Sequence, residues 1–296
     1  MHKILSFYEF CELSLNNVIK NKNIILDTSK NNSILGTIIL STEGINGTVS
    51  GPSNSIDNLS KLLNELDYRC NSKFSESEKK PFKRLKVKIQ KEIVTFMNLG
   101  KSAKNTGTFI SPKDWDEFIS KDDVKLIDVR NFYETVIGKF PKSIDPNTQT
   151  FTDFINYIDE ELSSDKNQKI AMYCTGGIRC EKASSYMKDI GFKNIFQLEG
   201  GIINYLNSVE KKEGSWDGEC FVFDERVSLN YNSEVGNFEL CHGCRNPIDD
   251  EDKKSVYFEE GVSCPNCINI RSNEQNEKSR QRQAQINFTR KRKEKL

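Results

Sequence analysis

Apolar and polar positions along this chain follow two rhythms, and the change of rhythm separates its parts. Leu5 to Phe10 is a short apolar stretch, followed by a helical pattern through Leu13, Val18 and Ile19. Leu35 to Leu40 (LGTIIL) predicts a strand with Thr48 to Ser50 as its neighbour, and Asn46-Gly47 between them is a turn signal. Ser53 to Leu66 carries a Ser cap and Ile56, Leu59, Leu62, Leu63 and Leu66 at helical spacing. Arg84 to Ile89 (RLKVKI) alternates as a half-buried strand does. The order β-α-β-β-α-β predicts a ferredoxin-like (acylphosphatase-like) α+β domain over residues 1–98, a fold that specifies no function by itself. Glu43, Asn46 and the basic Lys83, Arg84, Lys86 and Lys88 fit either a substrate surface, the basic ones for a polyanion, or a solvated sheet edge.

Leu99 to Gly107 is polar and small, as a linker is. Beyond it, Ser111-Pro112 opens a helix with Trp115, Phe118 and Ile119 on one face. Val124 to Val129, Ile170 to Tyr173 and Asn194 to Leu198 predict strands that alternate with helices. That alternation predicts an α/β domain over residues 108–210 with a parallel sheet, whose carboxyl ends carry the ligand site. Cys174 sits at such an end, before the loop Thr175-Gly176-Gly177-Ile178-Arg179 and a helix through Lys182, Ala183 and Tyr186. A cysteine between a strand and a helix N-terminus faces unpaired N–H groups and the positive end of the helix dipole, and Arg179 adds a full charge. A lone cysteine there reads as an ordinary βα turn. With Gly-Gly and Arg beside it, Cys174 reads as an activated nucleophile.

Several of these segments carry a family pattern. Asp128-x-Arg130-x-x-x-Glu134, Gly138, Pro141, the Cys174 loop and Leu198-Glu199-Gly200-Gly201 together resemble a rhodanese domain. In that family the loop cysteine carries a persulfide held by loop N–H groups. The resemblance gives that role to Cys174, the loop-arginine role to Arg179, and structural roles to Asp128, Arg130 and Glu134. Two departures stand out. Gly138-Lys139-Phe140 occupies the place where many relatives have Gly-His-Ile, and Cys180 follows the loop where a small polar residue is commoner. Cys180 fits either a resolving thiol or a buried helix-start cysteine. STEGINGTVSG (41–51), RLKVKIQKEIV (84–94), YCTGGIRCEKAS (173–184) and WDGECFVFDERV (216–227) occur in one chain, a combination similar to the oxygen-dependent tRNA uridine hydroxylases. The resemblance implies 5-hydroxylation of a wobble uridine, tRNA as partner and molecular oxygen as co-substrate.

Residues 211–270 contain Cys241-x-x-Cys244 and Cys264-x-x-Cys267, a spacing that closes a tetrahedral zinc site. Four thiolates leave no open position, so the predicted Zn2+ is structural; His242 is a less favoured substitute ligand. The chain has 43 Lys/Arg and 43 Asp/Glu, yet residues 271–296 hold nine basic and three acidic side chains, leaving the first 270 residues at minus six. Arg280, Arg282, Arg290, Lys291, Arg292 and Lys293 in this basic tail fit either a solvated terminus or a phosphate-binding arm, disordered until bound. Nine cysteines without a secretory signal or a long apolar run predict a cytoplasmic protein with no membrane span.

Some chemistries are poorly supplied. His2 and His242 are the only histidines, which disfavours a two-histidine iron centre, and no G-x-G-x-x-G, flavin, haem or nicotinamide motif is evident. The expected route is therefore addition of a Cys174 thiolate or persulfide to C6 of uracil, making C5 nucleophilic, with Arg179 and the loop N–H groups steadying the anion. Two other function classes remain open from sequence: a thiosulfate-type sulfurtransferase, and a non-catalytic tRNA-binding scaffold.

Overall fold

The computed structural model describes residues 1–99 and 105–293, so most of the predicted linker lies outside the described residues. The N-terminal unit is a five-stranded mixed sheet built from β1 (His2–Phe10), β2 (Leu35–Ser41), β3 (Gly44–Gly51), β4 (Asn71–Ser77) and β5 (Leu85–Ile89), in the order β4-β1-β3-β2-β5. Helix α1 (Leu15–Asn31) starts where Ser14 accepts the Asn17 N–H. It packs Val18 and Ile25 with Ile56, Leu59 and Leu63 of α2 (Ser53–Glu65) against Leu5, Phe7, Ile38 and Val49 of the sheet.

Three local expectations change here. Asn46-Gly47 is not the turn: both lie inside β3, and the chain reverses at Thr42-Glu43. Gly44, at φ +141°, fits there because a side chain would meet the Glu9 carbonyl, while Gly47 leaves room for the Phe7 ring. The Asn46 amide instead donates to the Ile93 carbonyl at 3.0 Å. Ser53 is the first helical residue and not the cap; Pro52 precedes the helix without a side-chain cap bond. The fourth strand of the ferredoxin-like order is β4 (NSKFSES), and RLKVKI is an added fifth strand, parallel to β2. Strand β4 gave no alternation to read: it is an edge strand with Phe74 as its one large apolar side chain, 47% exposed.

The central unit is a parallel sheet in the order β6-β10-β9-β7, from β6 (Thr108–Ile110), β7 (Val124–Asp128), β9 (Lys169–Tyr173) and β10 (Ile195–Leu198). Around it lie α3 (Pro112–Ile119), α4 (Phe132–Thr135), the short β8 (Gly138–Lys139), α5 (Phe154–Tyr157), α6 (Ile178–Asp189) and α7 (Gly201–Ser208). Strand β9 is covered on both faces. Ile170 and Met172 enter one core with Ala183 and Met187, while Ala171 and Tyr173 enter another with Trp115 and Tyr205. Phe140 explains the departure at Gly138-Lys139-Phe140: its ring meets Tyr173, Tyr205 and Trp216 edge-on at 4.9, 4.9 and 5.0 Å.

After α7 the chain forms the paired strands β11 (Asp217–Gly218) with β8, β12 (Cys220–Phe221) with β13 (Ser228–Leu229), and β14 (Glu239–Leu240) with β15 (Pro247–Ile248). Helices α8 (Asp250–Lys254) and α9 (Asn273–Lys293) close it. The basic tail is thus not a disordered arm; most of it is a helix. Its anchor is Arg271, whose guanidinium bonds Asn276, Ser279 and the Gly243 carbonyl. Among the described residues, no helix is long and apolar enough to cross a membrane.

Two Asp-x-Arg staples fix backbone turns. Arg130 grips Asp128 with Nη2–Oδ2 at 2.6 Å and also donates to the Glu134 and Gly138 carbonyls. Arg226 grips Asp224 at 2.7 Å and reaches Ser75 of β4, tying the later segment to the N-terminal sheet. The main joint between sheets is Lys182 of α6, fully buried, which donates to Glu43 (2.8 and 2.9 Å), Glu92 (2.7 Å) and the Val94 carbonyl (3.0 Å). Glu43, a candidate substrate contact by sequence, is committed to this joint and to the Ile93 N–H. Removing one partner of a buried charge cluster leaves the others uncompensated. Lys182→Met is therefore expected to lower unfolding free energy by about 3–5 kcal/mol in urea titrations. Lys169→Met, which breaks only the exposed pair with Asp123, is expected to leave the midpoint in place.

Candidate active site

Strand β9 delivers Cys174 to the carboxyl edge of the parallel sheet, with α6 starting at Ile178. The turn is shorter than the sequence suggests: Thr175, Gly176 and Gly177 form it, and Ile178 and Arg179 already belong to the helix. Gly177, at φ +105°, sends its N–H to the Cys174 sulfur at 3.2 Å. The Glu199-Gly200-Gly201 segment lies against the back of this turn. A side chain at Gly201 would strike the Cys174 carbonyl, and the Ile202 and Ile203 N–H groups donate to the Cys174 and Thr175 carbonyls at 3.0 and 3.1 Å.

Burial alone would raise the Cys174 thiol pKa, but opposing effects win and hold it well below its ordinary value. They are the hydrogen bond from the Cys180 thiol, the Arg179 charge, and the Cys180 and Gly177 N–H groups. Cys180 responds in the other direction: burial and the adjacent Cys174 sulfur push its pKa well up, so it is the donor of the pair. Cys174 is fully buried, while a Cβ placed on Gly176 would meet nothing within 4 Å, so open space adjoins the loop there.

Arg179 is not free to face an anion alone. Its guanidinium forks onto Glu134 at 2.6 and 2.8 Å and touches the Thr175 hydroxyl at 3.3 Å. Burial would raise the Glu134 pKa, yet the Arg179 charge and hydrogen bonds keep it below the usual carboxylate value. Glu134 also caps α4 by accepting the Asn131 N–H. Assigned by sequence to the scaffold, it is the carboxylate that orients the loop arginine.

Three further residues at the loop escaped sequence reasoning. The Lys73 ammonium on β4 donates to the Gly176 carbonyl at 2.8 Å and to the Gly200 carbonyl. Tyr8 of β1 stands over Gly177 and donates to Glu181 of α6 at 2.5 Å. Burial, then the Glu181 charge, push the Tyr8 pKa well up, and burial pulls Lys73 down to about 8. Tyr8 reads as one more core aromatic in an apolar strand, and Lys73 sits in a polar segment with no periodicity. Neither carries a signal until the two sheets are brought together.

Residues 2–93 match the UPF0176 acylphosphatase like domain, and residues 111–208 match the Rhodanese-like domain. A tRNA uridine(34) hydroxylase of Picosynechococcus sp. is 45% identical over 272 residues, covering 90% of this chain and 89% of the relative. The tRNA uridine(34) hydroxylase of Prochlorococcus marinus subsp. pastoris is 41% identical over 295 residues, covering 97% and 95%. The chain belongs to the tRNA uridine(34) hydroxylase family.

This family member has a second cluster outside the rhodanese-like unit. The sulfurs of Cys241, Cys244, Cys264 and Cys267 lie within 4.8 Å of one another, with Cys244–Cys264 at 3.7 Å and Cys264–Cys267 at 3.8 Å. A tetrahedron with zinc–sulfur bonds of about 2.3 Å has edges of roughly 3.8 Å, so the donor set fits Zn2+. Burial and the neighbouring Cys241 push Cys264 up to about 12, a repulsion that a divalent cation would cancel. His242 contributes its backbone carbonyl to Arg282 at 3.1 Å and is not among the four grouped ligands.

The basic candidates divide. Lys83, Arg84, Lys86 and Arg282 line one groove of about 1100 Å³ with Arg245, Tyr133 and Phe223. Lys83 is paired there with Glu225 at 2.8 Å. Lys88 is exposed outside that lining, and Arg280 is clamped on Glu259 at 2.7 and 2.8 Å. Arg292 is exposed near the end of α9, and the side chains of Arg290, Lys291 and Lys293 lie outside the described residues. Because Arg271 and Arg282 bond carbonyls of the first Cys-x-x-Cys turn, one groove wall depends on that turn. Elemental analysis is expected to find about one zinc per chain. Cys264→Ser is expected to lose that zinc and expose α9 to proteolysis, with the far-ultraviolet signature of the sheets retained.

Proposed function

We propose that this protein is an oxidoreductase that hydroxylates carbon 5 of the wobble uridine of tRNA, with Cys174 as nucleophile and molecular oxygen as co-substrate. The supporting observation is a cysteine held toward its thiolate by the Cys180 thiol, Arg179 and loop N–H groups, in a chain with nearly full-length tRNA uridine(34) hydroxylase relatives. Addition of the Cys174 thiolate to C6 forms a carbon–sulfur bond and moves the ring electron pair toward C5 and the C4 oxygen. Carbon 5 then bonds one atom of molecular oxygen, and the second oxygen atom leaves as water with two protons and two electrons from an external two-electron reductant. Loss of the C5 proton and expulsion of the thiolate restore the ring. A persulfide on Cys174 would add in the same way, one atom further from the loop. Arg179, paired with Glu134, orients the loop and its charge also helps hold the sulfur anionic.

The groove supplies a route for the nucleic acid. Arg84, Lys86, Arg245 and Arg282 offer phosphate contacts, and Tyr133 and the exposed Phe223 offer faces on which unstacked bases can lie. Tyr133 directly precedes Glu134, the carboxylate on Arg179, so one groove residue adjoins in sequence the partner of the loop arginine. A wobble base is already accessible in its loop, which lowers the cost of drawing it toward Cys174. The free cysteines fit a reducing compartment such as the cytoplasm.

Mass spectrometry of tRNA nucleosides tests this reading. Cells lacking the protein are expected to lose 5-hydroxyuridine-type modifications, restored by wild type and not by Cys174→Ser; unchanged modification would sink the proposal. In filter binding, Arg84→Ala, Lys86→Ala and Arg282→Ala are each expected to weaken tRNA binding and to reduce the slope of log affinity against log salt by about one.

A further inference from the structure

We propose that Lys73, from the N-terminal sheet, is a positioning residue for the Cys174 sulfur, acting through the single peptide group between Gly176 and Gly177. This inference rests on the reading of Cys174 as nucleophile. The carbonyl of that peptide accepts from the Lys73 ammonium at 2.8 Å, and its N–H donates to the Cys174 sulfur at 3.2 Å. No peptide among the described residues is cis, and a trans peptide points its carbonyl and its N–H in opposite directions. A cation fixed on the oxygen therefore aims the N–H at the sulfur. It also draws electron density along the amide, which strengthens the N–H as a donor.

The same ammonium holds the Gly200 carbonyl, so it clasps the loop to the Gly200-Gly201 turn behind it. Glycine is demanded at both ends of this arrangement: Gly177 has φ +105° and Gly200 has φ +70°. Free to twist, such a backbone needs an external hold to keep one orientation. The obvious cation of the loop cannot serve, because Arg179 spends both terminal nitrogens on Glu134. Lys73 instead comes from the opposite side, on a strand of another sheet.

Other charged and titratable groups face this centre. Cys180 and Arg179 come from α6, Tyr8 from β1 through its contact with Glu181, and Cys220 from β12. Burial brings Lys73 down to about 8, although Cys174, Cys220 and Glu181 oppose the fall. Its charge is present below that value and is lost as pH rises through it. The aimed peptide is then expected to relax, giving activity an alkaline limb with a midpoint near 8.

The test compares Lys73→Met and Lys73→Arg in the full chain, with thermal unfolding as a check on folding. Thiolate absorbance near 240 nm, taken as the difference from Cys174→Ser, follows titration of Cys174. Lys73→Met is expected to raise that midpoint by about one pH unit and to lower single-turnover hydroxylation about tenfold at neutral pH, with tRNA affinity unchanged. Lys73→Arg is expected to restore the midpoint and to move the alkaline limb upward. A folded Lys73→Met protein with an unchanged thiolate midpoint overturns the inference, whether activity survives or not. Should Lys73→Met fail to fold, Lys73→Arg decides, and an alkaline limb still near 8 overturns it. If Cys174→Ser is itself fully active, the nucleophile reading has failed, an outcome separate from any Lys73 result.

Discussion

Lys182 is fully buried, so its charge must be met by protein, and the groups that meet it come from outside its own sheet. Glu43 follows β2, Glu92 follows β5, and the Val94 carbonyl completes the set. Because α6 begins at the catalytic turn, a cation on that helix fixes how the N-terminal sheet stands over Cys174. A buried cluster of this kind adds little net stability compared with an apolar contact, but it tolerates very few geometries. Tyr8 and Lys73 reach the loop only because that geometry is held. The acylphosphatase-like unit thus supplies side chains to the Cys174 turn.

Three buried arginines are each closed onto a neighbouring carboxylate. Asp128 with Arg130, Glu134 with Arg179 and Asp224 with Arg226 each satisfy themselves within hydrogen-bond distance. Their net fields fall off faster than those of single ions, so the sulfur is governed by what lies nearest to it: the Cys180 thiol, Arg179 and the backbone N–H groups. Such a centre tolerates an anion without being flooded by positive charge, which suits the role proposed for a sulfur that attacks and then leaves.

Much of this was legible in the sequence, for identifiable reasons. Buried strands such as Ile170 to Tyr173 are apolar throughout, and the Cys174 turn announces itself because its glycines, cysteine and arginine are adjacent in the chain. The four zinc-type cysteines are legible for the same reason: their spacing is itself the geometry. Strand β4 was missed because an edge strand with one exposed face needs no apolar alternation, and Asn46-Gly47 misled because its glycine answers to the Phe7 ring and not to a turn. Lys73 and Tyr8 were invisible because their meaning depends on a contact more than a hundred residues away in sequence. Composition gives the tail only as a solvated terminus or an arm disordered until bound, because it cannot register that Arg271 and Arg282 find carbonyl partners in the cysteine turn.

The Gly200-Gly201 turn carries one more implication. Its following N–H groups are spent on the carbonyls of Cys174 and Thr175, so the outer shell of the catalytic turn is already saturated before any substrate arrives. A sulfur in that setting can gain charge, form a bond and recover its charge while the surrounding dipoles stay where they are. The reorganisation that water would have to undergo at each of those moments was completed once, when the chain folded.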